Sequence, residues 1–110
     1  LLIEKIIEKI LTLLKNTKSV KLKSHKINKE IFHLYWNFFA LENLITKEFK
    51  QITDILDILE ESINYKDYTI RERVAFLVKK LTQKGFIEVE FIAKKLQNDN
   101  NFYVKKALTL

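Results

Sequence analysis

Residues 69–86 read TIRERVAFLVKKLTQKGF, a stretch that carries a helix with both of its ends marked. Thr69 and Glu72 match a capping box, in which each side chain bonds the other residue's backbone N–H at a helix start. Gly85 is predicted to follow the helix in a left-handed conformation, with Phe86 as the hydrophobic contact beyond it. The apolar residues predicted to face inward recur at helical spacing: Ile70, Val74, Leu77, Val78 and Leu81. This stretch therefore predicts one complete α-helix.

Helical spacing of apolar residues extends over most of the chain. Further helices are predicted over residues 1–15, 29–45, 47–63, 87–97 and 102–110. Asn28 is predicted to cap the second of these. That helix is apolar around most of its circumference, with a polar stripe of only Glu30, His33 and Asn37. It is predicted either as the central core helix or as a core helix that also presents aromatic residues to a partner.

The composition excludes several classes of protein. With no proline and a single glycine, the chain lacks the turn residues of a β-sandwich or barrel. Without cysteine it has no disulfide framework and no thiolate nucleophile or zinc ligand. Its apolar runs, such as residues 38–41, are far below the ~20 residues of a membrane span. We expect one all-α domain over residues 1–110, intracellular in the cytoplasm or nucleus. Because the chain has no methionine and ends on an apolar residue, we also expect it to be a fragment or processed product.

Residues 15–29 are rich in lysine and contain no acidic residue. We predict a flexible basic connector over residues 16–28; residues 20–23 also alternate like a short strand, but a lone strand has nothing to pair with. The net charge of +6 fits binding to a polyanion. Against this, only Arg71 and Arg73 are arginines, the residues best suited to bidentate phosphate contacts, and A/T-rich codons are a competing source of lysine.

Two predicted turns share a pattern. Residues 64–71 read NYKDYTIR and residues 98–105 read NDNNFYVK, so that an Ile/Val–basic pair at positions 70–71 recurs at positions 104–105. A fainter echo lies at residues 14–21. The spacing between the first two pairs, about 34 residues, lies in the range of helical-hairpin repeat proteins.

Over about its last sixty residues the sequence resembles HEAT-type repeats, whose inner helix opens with Val-Arg shortly after an Asp and then places Ala and Leu between the helices. The matching residues are Ile70, Arg71, Val74, Ala75 and Leu77, and then Val104, Lys105, Ala107 and Leu108. The resemblance implies about six helices in antiparallel hairpins, as a HEAT-like right-handed stack or an orthogonal bundle. Residues 98–108 also look like hairpins of DNA alkylation-repair proteins, but none of that family's active-site residues has a match here.

Two groups of residues have the spacing of a metal or acid–base site. Glu30 and His33 share one helical face, as in di-metal bundles, but no second such pair exists. We favour a partly buried His33 bonded to Glu30 or Asn37. The acidic residues on the third helix are interpreted as a solvated face, or alternatively as a docking site for basic residues: Asp54, Asp57 and Glu61.

Residues 90–108 also fit a helix-turn-helix with a glycine-free turn of about one residue. Its first helix would turn Phe91, Ile92 and Leu96 inward. Its second helix would offer four polar side chains to a DNA groove: Asn100, Asn101, Lys105 and Lys106. Tyrosines in predicted turns fit either base stacking beside lysines or plugging of hairpin ends: Tyr65, Tyr68 and Tyr103.

No sequence motif indicates catalysis, a cofactor or a metal site. We predict a non-enzymatic helical-repeat module that binds another protein or forms part of a larger scaffold. The alternative is a basic helical domain that binds nucleic acid; a third interpretation is a structural segment whose second helix packs on neighbours, which exposure of Trp36 would favour. The candidate binding residues are Lys18, Lys21, Lys23, Lys26, Arg71, Arg73, Lys94, Lys95, Lys105 and Lys106.

Overall fold

Six α-helices make up the fold, as the computed structural model shows for residues 2–17, 25–45 and 49–109, with the side chains of residues 25–28 left undescribed. In chain order they are α1 (Leu2–Thr17), α2 (His25–Leu44), α3 (Ile52–Ser62), α4 (Tyr68–Gln83), α5 (Glu90–Gln97) and α6 (Phe102–Thr109). A 3-10 turn, Ile87–Val89, precedes α5, and the described residues include no strand. The predicted all-α class is confirmed.

The helices form two layers. Each odd-numbered helix packs against the next one in the chain, so α1–α2, α3–α4 and α5–α6 are three consecutive hairpins. The helices α2, α4 and α6 lie side by side in one layer, which we call the inner layer. In the outer layer α1 contacts α3, and α3 contacts the 3-10 turn before α5. The shortest dimension of the fold is 19 Å, which matches two helices of about 10 Å each.

Helix α4 is the centre of the core. It packs against α2 on one side and α6 on the other, with α3 and α5 behind it. Six of its apolar residues are fully buried, including all five predicted from the sequence: Ile70, Val74, Ala75, Leu77, Val78 and Leu81. Because this helix touches both neighbouring hairpins, its burial holds the three hairpins together.

Both ends of α4 are defined by specific hydrogen bonds. At the C-terminal end Gly85 has φ +92°, its N–H donates to the Thr82 carbonyl and the Phe86 N–H donates to the Leu81 carbonyl. This is the Schellman arrangement, so the predicted left-handed cap is confirmed. At the other end the predicted Thr69 cap is wrong. The N-cap is Asp67, whose Oδ1 accepts from the Thr69 N–H at 2.8 Å and from Thr69 Oγ1 at 2.6 Å.

Two helix starts differ from those predicted. Helix α2 begins at His25, so Asn28 lies inside the helix and does not cap it. Of the predicted connector, residues 16–17 and 25–28 are helical, and residues 18–24, with the strand alternative at 20–23, lie outside the described residues. Helix α3 begins at Ile52. Phe49 is buried and packs edge-to-face on Phe86 with the ring centroids 5.9 Å apart, so this residue is part of the core without being helical.

The shortest helices expose apolar residues that helical spacing alone predicts to be buried. Phe91 on α5 is 41% exposed, so the prediction that it faces inward is wrong. The buried residues of α5 are Ile92 and Leu96, and Val89 is buried in the turn before it. On α6 the buried positions are Val104 and Ala107. An eight-residue helix at the edge of a stack has neighbours on one side only, so part of its apolar surface stays in solvent.

Candidate functional site

Arg71 is one of the two arginines predicted to bind a partner, and the fold uses it internally. Its Nε donates to Asp99 Oδ2 at 2.8 Å and its second terminal nitrogen reaches Asp99 Oδ1 at 3.4 Å. Its remaining nitrogen donates to the Tyr65 carbonyl at 2.7 Å. Both partners of the ion pair are largely buried, with side chains 15% and 9% exposed. Arg71 thus joins the α3–α4 turn to the α5–α6 turn.

Arg73 lies between α2 and α4 among aromatic rings. Its guanidinium carbon is 5.1 Å from the Phe39 ring centroid and 4.6 Å from that of Phe76. It also pairs with Glu42 at 3.0 Å and donates to the Tyr35 hydroxyl at 3.3 Å. Such cation–π contacts hold the guanidinium in place and orient the rings around it. Arg73 is therefore a connection between the two helices.

A stripe of aromatic residues on α2 faces solvent. Phe32, Trp36 and Phe39 are 60%, 48% and 36% exposed, and we call these three residues the aromatic stripe. Their rings contact one another edge-to-face, with centroids 6.0 Å apart for Phe32–Trp36 and 5.4 Å for Trp36–Phe39. Contiguous exposed rings of this kind mark interaction surfaces more often than isolated apolar residues do.

The aromatic stripe continues into a groove on α4. Arg73 touches both Phe39 of the stripe and Phe76, and Phe76 lines an open groove of about 820 Å³. The groove also contains three lysines, of which Lys80 donates to the Glu42 carbonyl. The other lining residues are Glu42, Lys79, Gln83, Lys84 and Phe86. The inner layer thus combines an apolar ridge on α2 with cationic side chains on α4.

The apolar pattern of α2 indicates two apolar faces, but it does not show which of them is exposed. Apolar residues on α2 follow two parallel helical stripes, and the buried one consists of Ile31, Leu34, Phe38 and Leu41. Either stripe has the spacing of a core face. The sequence leaves open whether this helix also presents aromatic residues to a partner, and the stripe is absent from the candidate binding residues. The packing of α1 and α4 decides which stripe is buried.

The remaining predicted lysines divide into two groups. Lys94, Lys95, Lys105 and Lys106 are all exposed on the α5–α6 hairpin. The Lys95 ammonium lies 5.7 Å from the Phe91 ring centroid, and Lys106 lies at the same distance from Phe102. Lys18, Lys21 and Lys23 lie outside the described residues, and Lys26 falls within α2 with its side chain undescribed.

The third hairpin differs from the helix-turn-helix interpretation in the length of its turn and in the role of one residue. Residues 98–101 separate α5 from α6, so the predicted turn of about one residue is wrong, and the observed length lies within the three to four residues of the motif. Asn101 is not directed at a groove, because its Oδ1 accepts from the Tyr103 N–H at 2.8 Å and from the Val104 N–H at 3.3 Å. It is the N-cap of α6.

The Glu30–His33 pair does not form the bonded pair we expected. His33 is exposed, and Asn37 donates to its backbone carbonyl, not to its ring. Glu30 is half-buried, and its Oε2 is shielded from solvent without a hydrogen-bond partner among the described residues. The acidic residues Asp54, Asp57 and Glu61 are exposed on α3. Within residues 2–17, 25–45 and 49–109, no three His, Cys, Asp or Glu side chains group closely enough to hold a metal.

A buried polar cluster lies where the first hairpin meets the α3–α4 turn. The Tyr65 hydroxyl donates to Thr17 Oγ1 at 2.7 Å, and Lys66 Nζ donates to the Thr17 carbonyl at 2.6 Å. Burial raises the pKa of Tyr65 above its ordinary 10.0; the Thr17 hydrogen bond acts the other way, and the carboxylates of Asp67 and Glu30 add to the rise. Tyr65 therefore plugs the end of a hairpin, which is one of the two roles predicted for it; the other was base stacking.

Comparison with models of protein families, with curated proteins and with solved structures found no match. In the described part of the chain, no helix combines the length and apolarity needed to cross a membrane.

Proposed function

We propose that this chain is a non-enzymatic, HEAT-like helical-repeat module that binds another protein through the aromatic stripe and the adjoining groove on α4. The exposure of Phe32, Trp36 and Phe39 on one helix face is the observation that carries the proposal. Aromatic residues are enriched in the energetically dominant parts of protein interfaces, whereas single-stranded nucleic acid would call for stacking platforms surrounded by free cations.

The repeat character of the module rests on the repeat register, the alignment that pairs residue 67 with residue 101 and residue 70 with residue 104. Asp67 and Asn101 each cap their helix by accepting from the N–H two positions further on. Ile70 and Val104, which also correspond in this register, are both fully buried. The two-layer order of hairpins agrees with a stack of such units.

The chemistry of the surface indicates the character of the partner. Burying the exposed part of the Trp36 side chain would contribute on the order of 2–3 kcal/mol. Lysines of the groove, Lys79 and Lys84 among them, favour acidic residues beside the apolar contact. The partner is a protein segment with apolar side chains for the stripe and carboxylates for the groove. A larger assembly that covers α2 permanently would meet the same description.

The proposal is tested by capture from a lysate of the source organism. One variant carries Phe32→Gln, Trp36→Gln and Phe39→Gln. The control carries Leu2→Gln and Leu11→Gln, two exposed apolar residues of the outer layer. The capture is done at ~500 mM salt, which screens charge contacts. We expect the wild type and the control to retain the same set of proteins and the stripe variant to lose it. The circular dichroism spectrum of the stripe variant should match that of the wild type, which shows that it is folded. Equal retention by the stripe variant would refute the proposal.

Nucleic-acid binding is the second candidate, and one observation favours it. Lys95 and Lys106 each lie beside an exposed aromatic ring, a combination that single-strand binders use. Fluorescence anisotropy with labelled oligonucleotides at ~50 and ~200 mM salt tests it. Micromolar binding that weakens by orders of magnitude between the two, and is lost with Lys95→Gln and Lys106→Gln, would establish this function. No binding at the lower salt concentration would remove it.

A further inference from the structure

The contact between α2 and α4 surrounds one cationic side chain of the chain itself. The Arg73 guanidinium lies over three aromatic rings, with its carbon 4.6 to 5.6 Å from their centroids: Tyr35, Phe39 and Phe76. It also pairs with the Glu42 carboxylate at 3.0 Å. Three rings and one carboxylate therefore hold an organic cation between these helices, as cation–π recognition requires.

A second set of the same residue types lies about one helical turn earlier on α2. It lines a surface pocket of about 390 Å³ between α2 and the start of α4: Ile31, Phe32, Tyr35, Trp36, Asp67 and Thr69. We call this the aromatic pocket. The Phe32 and Tyr35 rings meet the Trp36 ring edge-to-face, at interplanar angles of 68° and 81°. Because these rings stand nearly perpendicular to one another, they line the pocket from more than one side.

The cations of the described residues are engaged elsewhere. The cation–π contacts among those residues involve other rings, so none of their cations lies over Phe32 or Trp36. Lys66 is next to Asp67 in the sequence, but its Nζ donates to the Thr17 carbonyl at 2.6 Å. The aromatic pocket thus has the same kinds of walls as the Arg73 site without a cation from the described part of the chain.

Asp67 gives the aromatic pocket a negative charge. Its Oδ1 accepts from the N–H and from the hydroxyl of Thr69, and Oδ2 has no described donor. The positive end of the α4 dipole lies beside this carboxylate and amounts to about half a unit charge, so the full charge of Asp67 outweighs it. A cation in the pocket would gain an ion pair in addition to its contacts with the rings.

We propose that the aromatic pocket binds an arginine side chain of the protein partner. The Arg73 site shows that aromatic rings and a carboxylate between these two helices accommodate a guanidinium. A guanidinium stacks on ring faces and is more weakly hydrated than an ammonium, so it loses less than lysine does on leaving water. The proposal rests on the proposed function, since it assigns the arginine to the segment that covers the aromatic stripe.

The arginine sets the direction in which that segment lies. Asp67 precedes the first turn of α4, whereas Lys79 and Lys84 lie near its other end. At 1.5 Å per residue, Asp67 and Lys79 are roughly 18 Å apart along the helix axis. The partner segment therefore places its arginine at the start of α4 and its carboxylates towards the end.

Titration with single amino acids tests the pocket, with Trp36 fluorescence as the readout. The probes are N-acetyl-arginine amide and its neutral isostere N-acetyl-citrulline amide, at constant ionic strength. We expect a saturable change with a dissociation constant on the order of millimolar for the arginine probe, and binding of the citrulline probe that is weaker by ~5-fold or more. Equal binding of the two probes would overturn the proposal. Tighter binding of N-acetyl-lysine amide would assign the pocket to an ammonium and likewise overturn it.

A charge-neutral variant separates the role of Asp67 in the pocket from its role in the fold. Asp67→Asn keeps a side-chain acceptor for the helix start, as Asn101 provides on α6. We expect it to retain the circular dichroism spectrum of the wild type and to bind the arginine probe as weakly as the citrulline probe. The control Asp57→Asn, which removes the same charge from the outer layer, should bind the arginine probe as the wild type does. An unchanged arginine titration with Asp67→Asn would overturn the proposal.

Failure of the arginine pocket and failure of the proposed function give different results. Equal binding of arginine and citrulline, together with protein capture that is lost in the stripe variant, would overturn the arginine pocket and leave the proposed function standing. Equal capture by the stripe variant would refute the proposed function, and with it the partner as the source of the arginine.

Discussion

Arg71 and Asp99 form the ion pair that connects two turns 28 residues apart in the sequence. A largely buried pair is costly to break, because the surviving charge stays desolvated without its partner. We predict that Asp99→Ala lowers the free energy of unfolding by about 2–4 kcal/mol in urea titrations. The control Asp57→Ala, at an exposed acid, should change it by less than ~0.5 kcal/mol. Arg71→Ala combined with Asp99→Ala should cost clearly less than the sum of the two single changes; additive losses would contradict the pairing.

Tyr65 gives the fold a specific pH dependence. Its pKa is raised above 10.0 by burial, so the folded state holds this proton more tightly than the unfolded state does. Its contribution to stability is fully present below the ordinary pKa of 10.0 and is lost as the pH rises through the raised pKa. We predict that Tyr65→Phe reduces the decline in unfolding free energy above pH 10.0, measured by urea titration. An identical decline in the wild type and Tyr65→Phe would show that the hydroxyl is not buried.

Residues with a local structural role could be predicted from the sequence, whereas contacts between distant residues could not. Gly85 could be predicted because only glycine adopts a φ of +92° without strain, and this requirement is local. The pairing of Arg71 with Asp99 could not, since it depends on how two turns distant in sequence approach each other. Both arginines were therefore predicted as binding residues when the fold uses them as internal connections.

At the scale of the element, α4 owes its length to its two caps. We predict that Asp67→Ala costs about 1 kcal/mol by removing the bonds to Thr69, and that Gly85→Ala costs about 1–2 kcal/mol. The added Cβ of Gly85→Ala would meet no atom within 4 Å, so its cost is backbone strain alone. Urea titrations check both values, with Gln83→Ala as the exposed control at the same helix end. A loss for Gly85→Ala no larger than that of this control would contradict the left-handed cap.

Helix α2 has aromatic residues on a buried face and on an exposed face. Truncating one residue on each face compares their contributions to stability. Phe38 is fully buried, whereas Trp36 is 48% exposed. We predict that Phe38→Ala lowers the unfolding free energy by about 3–5 kcal/mol and Trp36→Ala by about 1 kcal/mol or less. Chemical denaturation followed by circular dichroism gives both values. Comparable losses would mean that the aromatic stripe is part of the core.

The sequence predicted which segments are helical. It predicted less well where each helix begins and which of its faces is buried. Helical periodicity and the lack of turn residues sufficed for six helices. The end of a helix depends on which polar side chain caps it and on which nearby residues enter the core. This applies to the Asp67 cap, the early start of α2 and the late start of α3. On α2 and α5, apolar residues occupy more than one face, so periodicity alone could not choose the buried one.

At the scale of the molecule, the proposed function follows from what the stack leaves uncovered. The inner layer exposes the aromatic stripe, and the α5–α6 hairpin exposes Phe102 beside the cationic Lys106. A stack of hairpins buries the faces between units and leaves its surface layer and its ends for partners. The uncovered surfaces could not be predicted from the sequence, because they are defined only once the helices have packed.

The proposed binding surface requires that the aromatic stripe be open to solvent in the folded chain. Trp36 is the only tryptophan, so its fluorescence reports on this surface alone. We predict that acrylamide quenches Trp36 in the native protein with a rate constant within about a factor of two to three of that in urea, independently of protein concentration, since the side chain is about half exposed. A native rate constant lower than that in urea by an order of magnitude or more would show that the chain covers its own stripe, and would contradict the proposed binding surface.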